Sequence, residues 1–119
     1  MNINIKTSGI TLTDAISEYV SKRLDSIQKL IKDEAAQCDV ELGKTTSHHR
    51  NGDIFRAEIH IVGKDTNIYV TSEKEDLYAA IDAVRDEAAR ELTSSKDRKQ
   101  SLIRRGGAKL KNSIKGLWN

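Results

Sequence analysis

The chain has 119 residues, one cysteine, no proline, 32% charged and 4% aromatic residues, and a formal net charge of +2. That is room for one domain with one modest core, in a composition that suits a small, highly soluble protein better than a deep-pocketed enzyme. A lone cysteine excludes an internal disulfide, no apolar run is long enough to cross a bilayer, and the first 20 residues lack the basic-then-apolar pattern of a signal peptide.

Asn2 to Lys6 alternates, with Ile3 and Ile5 on one face, and predicts a short strand. Gly9 turns the chain. Thr13 reads as a helix N-cap, with Asp14 placed well at the positive end of the helix dipole. Ile16, Val20, Leu24, Ile27 and Ile31 then form one apolar stripe, enough for a helix of about five turns.

Cys38, Val40 and Leu42 alternate with Asp39, Glu41 and Gly43, so this is a half-buried strand with Cys38 as a small buried hydrophobe, in keeping with a reducing cytoplasm. Asn51-Gly52 is a two-residue hairpin signal. The returning strand points Phe55, Ala57, Ile59 and Ile61 inward and Arg56, Glu58 and His60 outward. Gly63-Lys64-Asp65 turns again, and Ile68 and Val70 mark a fourth strand. A long helix follows from Asp76 to Lys99, with Leu77, Ile81, Val84, Ala88 and Leu92 on one stripe.

The order β-α-β-β-β-α predicts an α+β sandwich of two layers, with antiparallel strands and both helices on one sheet face. One domain is expected over residues 1–103 and a basic tail, flexible or amphipathic, over 104–119. In that tail Leu110, Ile114, Leu117 and Trp118 recur at helical spacing among lysines.

Charge is unevenly spread. Residues 1–92 carry 12 Lys+Arg against 17 Asp+Glu, a net of −5, whereas residues 93–119 carry 8 Lys+Arg against one acid, a net of +7. On the second helix the apolar stripe stops at Leu92, and Ser95 and Lys99 occupy the slots where it would continue. A helix that outruns its core and turns basic suits a polyanion; a solvated tail without a partner is the plainer alternative.

Nothing in the chain singles out catalysis. There is no glycine-rich phosphate loop and no triad that spacing can identify. His48 and His49 are adjacent and point to opposite sides of an extended chain, a poor chelate; His60 lies on an exposed strand face. No catalytic residue, metal, cofactor or small-molecule substrate is expected. The basic residues are more telling. Lys22 and Lys29 share a row on the polar side of the first helix. Arg23 sits at the border of its stripe beside Tyr19 and Ser26, where an arginine can lay its stem on apolar surface. Tyr78, Arg85 and Lys96 form a row flanking the second stripe, with Arg90 on the exposed side and Lys96, Arg98 and Lys99 clustered beyond the core. With Arg104 and Arg105 these make one candidate RNA-binding track across two helices.

LTDAISEYVSKRLDSIQKL at 12–30, the three-strand meander and EDLYAAIDAVRDEAAREL at 75–92 together resemble the ribosome hibernation-promoting factor family, also called ribosome-associated inhibitor or sigma-54 modulation proteins. The DLYAAID block is the most specific element, the similarity spans about residues 1–100, and the resemblance is to the short form of the family. The resemblance implies a fold similar to double-stranded-RNA-binding domains. It also implies a ribosome-associated, cytoplasmic protein that binds the small ribosomal subunit and its rRNA, occupies the path of mRNA and of A- and P-site tRNA, and silences ribosomes under stress. Carried over by that resemblance, Arg23, Arg90, Lys96 and Arg98 match positions that are usually basic, and Tyr78 matches the YAAI tyrosine. Ser26 and Glu87 stand where many relatives carry lysine, which thins the helix-borne patch. The competing expectations are a general RNA-binding module and a membrane-surface adaptor acting through the tail.

Overall fold

Seven residues, Asn2–Ser8, form strand β1, and Gly9 at φ +75° turns the chain out of it. The structure is a computed structural model describing residues 1–45 and 52–104, the last ten as backbone only. Thr13 opens helix α1 (Asp14–Leu30): its hydroxyl accepts the Ile16 N–H at 3.2 Å, and Asp14 lies in the first turn. Ile16, Val20, Leu24 and Ile27 are buried along α1. Ile31, expected as the last member of the stripe, packs partly buried against the core, but as the extended C-cap residue just past the helix, donating its N–H to the Ile27 and Gln28 carbonyls.

Strands β2 (Gln37–Thr45), β3 (Ile54–Val62) and β4 (Asn67–Lys74) follow, then helix α2 (Leu77–Arg104). Asp76 stands before α2, its carboxylate accepting the Ala79 N–H at 3.0 Å. The sheet order is β1-β2-β3-β4. The predicted element order holds, with two corrections to the pairing. First, β1 runs parallel to β2, not antiparallel, because α1 carries the chain back to the end from which β1 started; the first half is a β-α-β crossover. Second, Asn51-Gly52 does not close a two-residue hairpin. The last described pair is Thr45 with Ile54, a register that does not centre a two-residue turn on 51–52, and residues 46–51 lie outside the described residues. The observed register sets the buried residues Cys38, Val40 and Leu42 opposite Ile61, Ile59 and Ala57. A turn at 51–52 would slide β2 by four residues, set Lys44 against Ile59 and leave Cys38 and Val40 without buried partners. Gly52 keeps a positive φ of 81°; His48, His49 and Asn51 lie outside the described residues.

One sheet face and the two helices enclose the core. Cys38 and Ile61 are fully buried with Ile27 and Leu42, and α2 adds Leu77, Ala80, Ile81, Val84 and Ala88. Burial pushes the Cys38 thiol up to about 11, which keeps it an inert hydrophobe at neutral pH. Leu92 is only partly buried, and the backbone of α2 continues about 18 Å beyond it.

Asp33 pins two loops at one end of the sheet. Its carboxylate accepts the Ala35 N–H at 2.9 Å and the Lys64 N–H at 3.0 Å. Gly63 fits closely beside it: a Cβ there would lie 3.1 Å from Asp33 Oδ2 and 3.2 Å from the Ala36 Cβ, so those neighbours would have to give by a few tenths of an ångström. The backbone hydrogen bonds, that from Lys64 first, hold the Asp33 carboxyl below its ordinary 3.8. A depressed pKa supports the fold above the unfolded-state value and ceases to as pH falls through the folded-state one. The melting temperature of Asp33→Ala is therefore expected below wild type at pH 7, with the gap narrowing as pH falls below 3.8. A gap independent of pH in thermal scans would assign the loss to packing alone.

Candidate nucleic-acid interface

The open side of the sheet is acidic. By strand alternation it presents Lys6, Asp39, Glu41, Arg56, Glu58 and Glu73, four acids against two bases. Glu41 faces Glu58 directly across the β2–β3 pair. Arg56 and Tyr69 turn inward to this network: Arg56 Nη2 is 2.6 Å from Glu58 Oε1, and the Tyr69 hydroxyl donates to the same oxygen at 2.8 Å. His60 stacks edge-on against Tyr69 and bonds Asn67 through Nε2. The candidate RNA-binding residues lie on the other side of the sheet, on the helix layer.

On that layer α1 and α2 lie side by side and share polar rungs. The first joins Tyr19 and Arg23 of α1 to Tyr78 and Asp82 of α2. Tyr19 donates its hydroxyl to Asp82 Oδ1 at 2.7 Å, and Arg23 Nε lies 2.8 Å from the same oxygen. Arg23 Nη2 also donates to the Tyr19 hydroxyl at 3.1 Å. The guanidinium carbon is 5.2 Å from the Tyr19 ring centre, and Tyr78 meets that ring edge-on at 4.8 Å. The hydrogen bond to Tyr19, and then the Asp82 charge, raise the Arg23 pKa further above its ordinary value.

One turn along, Arg85 reaches from α2 to α1. Its Nη1 donates to Ser26 Oγ at 3.4 Å while Nη2 pairs with Asp86 at 2.7 Å. Arg90 pairs with Glu87 on α2, and its side chain is 68% exposed. Lys22 and Lys29 are exposed on α1, and neither enters an ion pair among the described residues. Lys96, Arg98, Lys99 and Arg104 lie on the backbone of the α2 extension, where residues 95–104 carry four bases and one acid. Arg105 falls outside the described residues.

The structure thus brings Arg23, Tyr78 and Arg85 together at the α1–α2 seam and sets Lys22 and Lys29 beside it. It separates Arg90, which points to the far side of α2 with Glu87. Sequence reasoning missed Asp82, the carboxylate that organises the seam. Its signal was a matched pair of i, i+4 spacings, Tyr19/Arg23 and Tyr78/Asp82, one on each helix flank. Among the described residues no group of His, Cys, Asp or Glu side chains could hold a metal, and no helix is long and apolar enough to cross a membrane.

A family model described as sigma 54 modulation protein / S30EA ribosomal protein matches residues 3–100. The ribosome hibernation promotion factor of Picosynechococcus sp. is 32% identical over 98 residues, covering 82% of this chain and 50% of that protein. The ribosome hibernation promoting factor of Escherichia coli is 31% identical over 98 residues, 82% of this chain and 96% of that protein. The chain therefore spans half the length of the cyanobacterial relative and nearly all of the enterobacterial one. Among solved structures, the N-terminal domain of Thermus thermophilus Protein Y superposes with a TM-score of 0.65 at 30% identity, over 77% of this chain and 96% of that one. A ribosomal subunit interface protein from Coxiella burnetii superposes at 0.66 over 82% of this chain and 99% of that one; at 15% identity it speaks to the fold alone. With the family model, the relatives and the fold in agreement, this chain belongs to the sigma-54 modulation / S30EA ribosomal protein family.

Proposed function

We propose that this protein binds the small ribosomal subunit through its helix layer, occupies the channel of mRNA and of A- and P-site tRNA, and holds ribosomes inactive under stress. The observation that carries this reading is the family match over residues 3–100, whose relatives are ribosome hibernation factors. The charge distribution supports it. Lys22, Arg23, Lys29 and Arg85 lie at or beside the α1–α2 seam, with Arg90 apart on α2, among seven acids of the two helices up to Ser94; the excess of positive charge comes in the run of α2 that follows, four bases against one acid over residues 95–104. Lys96, Arg98, Lys99 and Arg104 extend the same track, and Arg105 continues it in sequence. Phosphates bind such a track by releasing counterions, and Tyr78 at the seam offers a ring to an RNA base or sugar.

Occlusion requires no catalysis. A bound protein excludes tRNA and mRNA by volume, so the reading needs no metal, cofactor or small-molecule substrate. It implies a cytoplasmic location with the ribosome.

Purified protein incubated with ribosomes and resolved on a sucrose gradient is expected to travel with small subunits and whole ribosomes. In a reconstituted translation system, saturating protein is expected to suppress peptide synthesis. Binding to free RNA without enrichment on subunits would favour a general RNA-binding module. Unchanged peptide synthesis at saturation would remove occlusion.

A further inference from the structure

The rung at Arg23 contains more than an ion pair needs. A guanidinium has two edges that can each grip an oxyanion. The edge formed by Nε and Nη2 is occupied by Asp82, with Nε 2.8 Å from Oδ1 and Nη2 3.4 Å from Oδ2, and Tyr19 accepts from both nitrogens at 3.3 and 3.1 Å. The other edge contains Nη1, which makes no hydrogen bond among the described residues. The side chain is 42% exposed and Nη1 is not among the buried unpartnered nitrogens, so that second edge is open to a partner. Tyr19 is in turn fixed by its hydrogen bond to Asp82 and by the edge of Tyr78.

We propose that Asp82 and Tyr19 are positioning residues, which hold Arg23 across the helix seam so that its unpaired Nη1 edge grips one RNA phosphate. The inference rests on the reading that the helix layer binds rRNA. Its physical basis is entropy lost in advance. A free arginine gives up rotamer freedom when it binds, whereas Arg23 has already given it up on folding. The arrangement also makes an unusual electrostatic forecast. Near a polyanion, removing a carboxylate should strengthen binding if charge alone matters. If Asp82 positions Arg23, removing its charge should weaken binding.

Affinity for purified small ribosomal subunits, measured across a salt series, separates the two. Arg23→Ala is expected to weaken binding about 5- to 10-fold near physiological salt, as loss of one phosphate contact does. Asp82→Asn is expected to weaken it about 3- to 10-fold although it adds one unit of positive charge. In the Arg23→Ala background the same substitution should reverse sign and strengthen binding, since only its charge then counts. Tyr19→Phe leaves net charge unchanged and should lower affinity with an unaltered salt slope; it carries the test if Asp82→Asn proves to melt early. Tighter binding by Asp82→Asn in the wild-type background, or wild-type affinity in a folded Tyr19→Phe, overturns the positioning role. If Arg23→Ala binds as wild type does, the inference falls while the ribosome reading stands. If the wild-type chain does not bind small subunits, both fall.

Discussion

Leu24→Ala is expected to destabilise the domain by about 2–5 kcal/mol, read as a shift of the denaturant midpoint. Leu24 is 1% exposed in the middle of α1, between Val20 at 1% and Ile27 at 0%. Four buried residues of α1 anchor it to the core, so removing one leaves a cavity that neighbours from a rigid sheet can fill only in part. A domain of this size has about 5–15 kcal/mol of total stability, so the loss is a large fraction of it. Leu30→Ala is the internal contrast. Leu30 is on the same helix but 39% exposed, and its truncation should shift stability by about 0.5 kcal/mol or less. Equal effects at the two positions would mean that α1 is held by its polar rungs and not by the apolar stripe.

The same burial pattern explains what was legible in the sequence. Period-2 alternation at Cys38–Leu42 and Ala57–Ile61, and the stripes of α1 and α2, are statements about which side chains leave water. The structure buries those residues because a two-layer fold has one interior. Direction and register are not written in alternation. Nothing in Ile3 and Ile5 says whether β1 runs with β2 or against it; the length of α1 decides that. The hairpin signal at Asn51-Gly52 is local, whereas the pairing is settled by three buried contacts on each strand. The site shows the same division. The cations could be read one helix at a time, but the carboxylate that organises Arg23 lies 59 residues away along the chain, and only packing of α1 on α2 brings it there.

Replacing Arg23, Arg90 and Arg98 together with alanine is expected to have the largest functional effect. Each phosphate contact contributes roughly 0.7–0.9 to the slope of log affinity against log salt, so three lost contacts should flatten the slope by about two to three. Near physiological salt, affinity for small subunits should fall about 100- to 1,000-fold. Two of the substitutions carry a further penalty, because Arg23 and Arg90 are paired in the free protein. Removing them bares Asp82 and Glu87 to the approaching RNA, and like-charge repulsion adds to the missing contact. The fold should survive, since neither Arg23 nor Arg90 belongs to the core, and the α2 extension that carries Arg98 lies beyond Leu92. Far-ultraviolet circular dichroism and a thermal scan check the fold, and sedimentation with subunits from low to high salt gives the slope. A folded triple variant with a wild-type slope would move the phosphate contacts away from these three arginines, to Lys22, Lys29 and the basic residues beyond the described helix.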